Sequence, residues 1–100
     1  MADSKLKDPL GRVITLHDHT WYGHIIKGHP EVRLHRQIVE NAIRSPQEIR
    51  LSAADADCRL YYGTGPRAGI LIVTVVDLAL SLVRTAYLAR KMKGAVEWSR

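Results

Sequence analysis

The strongest constraint on the fold is the aliphatic run at residues 69–76, Gly-Ile-Leu-Ile-Val-Thr-Val-Val. β-Branched residues dominate this run, and a continuous apolar segment of that kind is typical of a central strand covered on both faces. Residues 49–52, 58–62 and 81–88 also have the composition of strands, and the short β-rich segment 12–16 is interpreted as a first strand or an extended entry. The Gly-Thr-Gly-Pro sequence at residues 63–66 predicts a turn. We therefore expect a meander of three or four strands in the second half of the chain.

Two predicted helices precede these strands, because apolar residues recur every four positions in residues 21–29 and again in residues 30–44. Pro30 is a favourable first residue for the second helix, since the first turn leaves its backbone nitrogens without intrahelical partners. Helices followed by strands favour an α+β fold, with two N-terminal helices packed on one face of a three- to four-stranded antiparallel sheet. A continuous helix over residues 78–92 is the competing interpretation of the last strand.

The length and composition predict a single domain. A chain of 100 residues, of which 46% are hydrophobic, has room for one core. The polar residues 1–11 predict a flexible N-terminal arm, which leaves residues 12–100 as the domain. The formal net charge of +5 favours a polyanionic partner. The positive residues are nevertheless spread evenly along the chain, so the charge by itself identifies no binding site.

The sequence also favours a cytoplasmic protein. Its single cysteine, Cys58, cannot form an intrachain disulfide, which is typical of a reducing compartment. The N-terminal residues contain no apolar stretch of the kind found in signal peptides. The most apolar window, residues 68–83, includes Asp77 and is shorter than the ~20 residues that cross a bilayer. We therefore expect no membrane partner.

Residues 20–31, Thr-Trp-Tyr-Gly-His-Ile-Ile-Lys-Gly-His-Pro-Glu, resemble the W-x-x-H-I-x-x-x-H-P-E opening of small phage-associated nuclease domains. That family is grouped with barnase, EndoU, colicin and RelE-type ribonucleases. The later elements are similar too, with Ser-Pro at residues 45–46, Leu-Tyr-Tyr at residues 60–62 and Arg-Thr-Ala-Tyr at residues 84–87. The resemblance covers roughly residues 12–94. It implies a phage- or toxin-type nuclease that cleaves RNA, with tRNA among the candidates, and that needs no metal or other cofactor.

Cleavage of RNA by attack of the ribose 2′-hydroxyl needs a general base, a general acid and cations near the phosphate. Histidine can fill either proton role because its ordinary pKa is ~6.5, and all five histidines lie between His17 and His35. The two hydroxyl residues of the Thr-Ala-Tyr strand point to one face of the sheet, and the preceding arginine points to the other. The candidate catalytic residues are His24, His29, Thr85 and Tyr87, and the candidate substrate-binding residues are Lys27 and Arg84.

Each of these candidates has a structural alternative. His24 and His29 have the alternative role of structural histidines, hydrogen-bonded at a helix junction. Thr85 and Tyr87 have the alternative role of packing residues on a strand. Glu31 is interpreted as a first-turn helix residue, with a catalytic base as the alternative. Trp21 is interpreted as a core anchor. The neighbouring tyrosines of residues 61–62 alternate along a strand, so we expect one in the core and one exposed.

Three further functions stay open at this point. His17 and His19, together with His24, suit zinc or nickel, although no cysteine or carboxylate pattern of a common zinc module accompanies them. A non-catalytic RNA- or protein-binding module on the same fold is the alternative to an enzyme. A toxin held inactive by an antitoxin or another inhibitor protein is the third possibility.

Overall fold

The computed structural model describes residues 3–100, and within that range seven strands form one mixed sheet. The strands are β1 (Ser4–Lys7), β2 (Val13–Leu16), β3 (Glu48–Leu51), β4 (Cys58–Thr64), β5 (Leu71–Asp77), β6 (Leu82–Ala89) and β7 (Val96–Ser99). Their order across the sheet is β1-β2-β6-β5-β4-β3-β7. Neighbouring strands are antiparallel except β2 and β6, which run parallel and pair where Thr15 lies beside Leu82.

Two helices and a short 3₁₀ turn accompany the sheet in the described residues. Helix α1 consists of three consecutive stretches, Asp18–Thr20, the π-helical Trp21–Ile25, and Ile26–Gly28. The 3₁₀ turn covers Pro30–Val32, and α2 spans Arg36–Arg44. Helix α2 contacts β4 and β5 in the middle of the sheet and β1 at one edge. The sheet therefore curves around α2 as a half-barrel. None of the helices in residues 3–100 has both the length and the apolar character that crossing a bilayer requires.

The hydrophobic core fills the space between the helices and the concave face of the sheet. Trp21 and Ile25 from α1 and Val39 and Ile43 from α2 are buried there. Trp21 is thus the core anchor that the sequence indicated. The hydroxyl of Thr74, on the central strand β5, donates to the carbonyl oxygen of Val39 at 2.9 Å. This hydrogen bond fixes α2 over the middle of the sheet, because it satisfies a polar group that is fully buried.

The predicted fold, two helices on one face of a three- to four-stranded antiparallel sheet, is wrong. Within residues 3–100 the sheet has seven strands, and one pair of neighbours is parallel. The strands that the sequence indicated in the second half of the chain correspond to β3, β4, β5 and β6. The last of these, residues 82–89, is a strand and not part of a continuous helix. Residues 12–16, interpreted as a first strand or an extended entry, contain β2, so the error lies in β1 and β7, which extend the sheet beyond the predicted strands.

The two outermost strands are short and carry little strand signal. Residues 4–7, within the segment predicted to be a flexible arm, instead form β1 and pair with β2 along their whole length. Leu6 is the fully buried residue of β1, and Trp98 of β7 packs partly buried against the core, opposite Ile49. A strand with one buried side chain among polar residues depends on its neighbour for stability, so composition does not reveal it.

The helix predicted over residues 30–44 is interrupted. The 3₁₀ turn contacts β6 with Val32 buried, whereas α2 contacts β4 and β5. Between them the chain changes direction, and His35 has a φ of −124° outside the helical range. Leu34, which continues the four-residue spacing of the apolar face, is 77% exposed. The periodicity is real, but packing against two different parts of the sheet requires a break that the spacing does not reveal.

A cluster of charged residues joins the two edges of the curved sheet, and we call it the edge clasp. The phenol of Tyr61 donates to Oδ2 of Asp8 at 2.5 Å. The guanidinium of Arg12 donates to Asp8 at 2.8 Å and to Oε1 of Glu97 at 2.7 Å. Arg59 donates to the other oxygen of Glu97 at 2.8 Å. Because Asp8 and Arg12 lie in the β1–β2 connection and Glu97 lies on β7, the clasp helps to close the half-barrel.

Candidate functional site

We call the sheet face that points away from α2 the outer face. Thr74 points toward α2, because its hydroxyl reaches Val39. Side chains alternate along a strand, so Val73 points outward. Tyr62 on β4 and Tyr87 on β6 are the cross-strand partners of Val73. Cross-strand partners share a face, so these three residues form a row across the outer face.

The link between β6 and β7 covers part of this row. The backbone amide of Lys93 donates to the phenol oxygen of Tyr62 at 3.1 Å. Tyr62 is therefore buried, with 2% of its surface exposed, and Tyr61 on the opposite face is buried as well. The expectation that one of the two tyrosines is exposed is wrong, because both faces of β4 are covered. The end of the row at Tyr87 remains half-buried.

The end of α1 lies beside Tyr87. The ring centroids of His29 and Tyr87 are 5.5 Å apart, and the ring planes are inclined at 37°. Nδ1 of His29 lies 3.4 Å from Oε2 of Glu31. At His29 the backbone leaves the helix, with a φ of −133°, and enters the 3₁₀ turn that carries Glu31. We call His29, Glu31 and Tyr87 the His29 cluster.

The His29 cluster contains groups suited to proton transfer and hydrogen bonding. Nδ1 of His29 faces the carboxylate of Glu31, so Nε2 is directed away from it. A carboxylate beside one imidazole nitrogen orients the ring. Burial raises the pKa of Tyr87, and the neighbouring Tyr62 raises it further. The phenol of Tyr87 therefore stays protonated at neutral pH and can donate a hydrogen bond.

The other predicted catalytic residues lie at varying distances from this cluster. Thr85 is two residues from Tyr87 on β6, about 7 Å along the strand, and its partner Val75 points to the outer face. His24 and Lys27 are exposed on α1. Within residues 3–100 no hydrogen bond, ion pair or ring contact joins either of them to the His29 cluster. The structure thus brings His29 and Tyr87 together, places Thr85 on the same face, and leaves His24 and Lys27 outside direct contact.

Arg84 lies elsewhere on β6. The register between β5 and β6 shifts after Val75, and Arg84 is the unpaired residue of this irregularity. Its guanidinium lies 3.6 Å from Sγ of Cys58 and 3.4 Å from Oδ2 of Asp55. Cys58 pairs with Asp77, four residues along β5 from the partner of Tyr87, a distance of about 13 Å. The structure therefore does not bring Arg84 to the His29 cluster.

Two of the three histidines considered as metal ligands, His17 and His19, have other partners. The rings of His17 and His19 stack with their centroids 5.1 Å apart. Nδ1 of His17 lies 2.9 Å from Oδ2 of Asp3. In the part of the chain from Asp3 onward, no three His, Cys, Asp or Glu side chains are grouped so that they could hold a metal ion.

Two residues beside His29 and Tyr87 are not among the predicted site residues, namely Glu31, for which a catalytic base is only the alternative interpretation, and Tyr62. Glu31 does lie in the 3₁₀ turn, at the start of the helical segment as interpreted, but its carboxylate also faces His29. The signal was the His-Pro-Glu spacing, in which a proline-initiated turn returns the carboxylate toward the histidine. Tyr62 on β4 influences Tyr87 on β6 across the intervening strand β5, and only the register of the sheet shows this. Comparison with known proteins found no matching family model, no matching curated protein and no matching solved structure.

Proposed function

We propose that the protein is a metal-independent endoribonuclease whose reaction takes place at the His29 cluster. The observation that carries this proposal is the setting of His29, with the carboxylate of Glu31 3.4 Å from Nδ1 and the ring of Tyr87 5.5 Å from its own. A base, an orienting carboxylate and a protonated hydrogen-bond donor are the groups that an acid–base reaction needs. The net charge of +5 favours a polyanionic substrate such as RNA.

In the proposed reaction, Nε2 of His29 takes the proton from the ribose 2′-hydroxyl. The resulting oxygen attacks the adjacent phosphorus, the bond from phosphorus to the 5′-oxygen breaks, and the products are a 2′,3′-cyclic phosphate and a 5′-hydroxyl. Glu31 stabilises the imidazolium that forms. The phenol of Tyr87 and the hydroxyl of Thr85 donate hydrogen bonds to the non-bridging phosphate oxygens, which carry the developing charge.

The remaining roles in the proposal belong to α1. His24 protonates the departing 5′-oxygen, and it lies five residues before His29, exposed on α1. Lys27 lies between them in sequence, and its exposed ammonium contacts the phosphate. The substrate is RNA, with tRNA among the candidates, and an inhibitor protein would act by covering the His29 cluster. The proposed setting is the cytoplasm, where RNA is abundant and a free thiol such as that of Cys58 stays reduced.

The experiment is incubation of the purified protein with a fluorescently labelled RNA in excess EDTA, followed by analysis of the product ends. We expect cleavage that leaves 2′,3′-cyclic phosphates, and no cleavage of the all-deoxy version of the same sequence. His29→Ala should lower the rate about 10²–10⁴-fold, because it removes the general base. The matched control is His19→Ala, which removes an exposed histidine near the start of α1 and should leave the rate unchanged.

Equal RNA loss with the wild-type protein and the His29→Ala variant would contradict the proposal and indicate a contaminating nuclease. RNA that is bound but not cleaved would also contradict it, and would favour the non-catalytic RNA-binding module. Cleavage that stops when EDTA is added would indicate a metal-dependent reaction and contradict the proposed metal-independent mechanism.

A further inference from the structure

An open cleft of about 590 Å³ lies on the outer face, between the β4–β5 loop and the start of the β6–β7 link. Its volume is within the range of sites that bind small molecules or parts of polymers. Three cations line it, Arg67 from the first segment and Arg90 and Lys91 from the second. The lining also includes Ile70, Leu71 and Met92, which are apolar. We call this feature the basic cleft.

The loop that carries Arg67 has a defined shape. The backbone amide of Gly65 donates to the carbonyl oxygen of Ile70 at 3.0 Å, and the amide of Ile70 donates to the carbonyl oxygen of Arg67 at 3.2 Å. A Cβ at position 65 would collide with the carbonyl oxygen of Ile70, and Gly69 has a φ of +80°. Glycine is the residue that permits both features. The loop therefore holds one wall of the cleft, and Arg67 with it, in a fixed position.

The cations of the basic cleft are uncompensated. In residues 3–100, Arg67, Arg90 and Lys91 make no ion pair with a carboxylate. No acidic residue occurs among the described residues that line the cleft. Outside the cleft, six of the eight arginines pair with a carboxylate in residues 3–100, as Arg12 and Arg59 do with Glu97 in the edge clasp, and Arg33 and Arg100 do not. Three unpaired positive charges around one concave surface concentrate the field there and attract an anionic ligand.

The basic cleft adjoins the His29 cluster on the same face. Thr64, Leu71 and Ala89 are cross-strand partners on β4, β5 and β6. They lie two residues beyond the row that ends at Tyr87, about 7 Å along the strands. Arg90 follows directly after Ala89. Since one strand of a nucleic acid rises about 3.4 Å per nucleotide in a duplex, a few nucleotides would connect the cleft to the cluster.

We propose that the basic cleft binds the phosphate backbone of single-stranded RNA next to the point of cleavage, and the identity of this ligand rests on the proposed function. The cations suit phosphodiester groups, and the apolar part of the lining suits the faces of sugars and bases. No aromatic side chain is among the described residues that line the cleft, so it offers no platform for base stacking. The binding is therefore directed at the backbone and depends weakly on sequence.

The test is the fluorescence anisotropy of a labelled 2′-O-methyl RNA of about ten nucleotides, which cannot be cleaved by 2′-hydroxyl attack. We compare Arg67→Ala/Arg90→Ala with Lys5→Ala/Lys7→Ala, which removes the same charge from exposed positions on the edge strand β1. The cleft variant should weaken binding about tenfold at 0.1 M salt and reduce the salt slope by about 1.4. The β1 variant should change the affinity less than about twofold. Both variants should unfold at the wild-type temperature, since all four side chains are exposed.

Equal weakening by the two variants would overturn the inference, because it would show a response to net charge and not to the cleft. Competition by poly-glutamate as effective as competition by unlabelled oligonucleotide would overturn the assignment to nucleic acid. The two proposals fail separately. RNA binding that depends on the cleft, without any RNA cleavage, would contradict the proposed ribonuclease but support the cleft as an RNA-binding site. RNA cleavage, with no effect of the cleft variant on binding, would support the ribonuclease but contradict the proposed role of the cleft.

Discussion

The edge clasp and the basic cleft both contain arginines, but the arginines have different surroundings in the two regions. In the clasp, Arg12 and Arg59 meet the carboxylate of Glu97, and Arg12 also meets that of Asp8. In the cleft, the cations meet no carboxylate of the described chain. The clasp is largely shielded from solvent, with the side chain of Asp8 fully buried, whereas Arg67 is exposed.

The comparison separates charges that hold the fold from charges that are available to a ligand. A net charge of +5 does not distinguish the two, because paired and unpaired arginines contribute equally to it. Ion-pair partners and burial do distinguish them. Substitutions in the clasp should therefore change stability, and substitutions on the outer face should change RNA binding or cleavage.

The largest expected effect is that of Asp8→Ala in the clasp. The carboxylate of Asp8 accepts hydrogen bonds from the backbone amides of Leu10 and Arg12, the guanidinium of Arg12 and the phenol of Tyr61. Removing one partner from such a buried set leaves the others unpaired, and we expect a loss of about 3–5 kcal/mol in the free energy of unfolding. Urea denaturation measures it. Asp57→Ala, which removes an exposed carboxylate, should cost less than about 0.5 kcal/mol.

Acid should also destabilise the protein through the clasp. Burial by itself would raise the pKa of Asp8, but hydrogen bonds from Tyr61 and Arg12 outweigh it and lower the pKa. The pKa of Glu97 is lowered against burial by hydrogen bonds from Arg12 and Arg59. A carboxyl group with a lowered pKa in the folded state contributes stability that is complete above its unfolded pKa and is lost as the pH falls toward its folded pKa.

We therefore expect the free energy of unfolding to fall as the pH drops below about 5, and thermal unfolding at a series of pH values tests this. The fall should be smaller in Asp8→Asn, which cannot ionise. A stability that is unchanged by acid, or an equal fall in the variant, would show that the clasp does not depend on these carboxylates.

On the outer face, Tyr87→Phe should affect cleavage and leave stability unchanged. The phenylalanine ring can keep the contact with His29, but it lacks the hydroxyl that donates to the phosphate in the proposed reaction. We expect the cleavage rate to fall about tenfold to a hundredfold. The free energy of unfolding should stay within about 0.5 kcal/mol of the wild type. Full activity in this variant would remove Tyr87 from the proposed mechanism and leave it as a packing residue.

The smallest effect separates Lys27 and Arg84, the two candidate substrate-binding residues. Lys27 has no ion pair in residues 3–100, whereas Arg84 is paired with Asp55. Lys27→Ala should weaken binding of the 2′-O-methyl RNA about fivefold, as expected for one phosphate contact. Arg84→Ala should weaken it less than about twofold, because its charge is already partly compensated. The reverse order would show that ion pairing in the free protein does not identify the available cations.

Sequence reasoning succeeded where a segment determines its own structure. The β-branched residues of β5 predict a strand without reference to the rest of the chain, since both of its faces are covered. It failed where a partner determines the structure. Leu6 makes β1 a strand because β2 lies beside it, and Trp98 makes β7 part of the sheet because Ile49 lies opposite. The parallel pairing of β2 with β6 likewise depends on the tertiary fold.

The candidate site follows the same division. The family resemblance and local patterns, a helix end and a strand, indicate His29 and Tyr87, and the fold brings the two together. The sequence does not predict the basic cleft, because Arg67 and Arg90 lie in separate connections between strands. Nothing in either connection indicates that the two meet across the ends of three strands.

The central claim is that RNA binds along the outer face, from the His29 cluster to the basic cleft, and that the edge clasp only supports the fold. Backbone amide chemical shifts, followed by NMR during titration with the 2′-O-methyl RNA, test this claim most directly. We expect the largest changes in residues 27–31, 64–71 and 85–93, and no significant changes in residues 8–12 or at Glu97. Changes centred on the clasp, or spread evenly over all basic residues, would contradict the account.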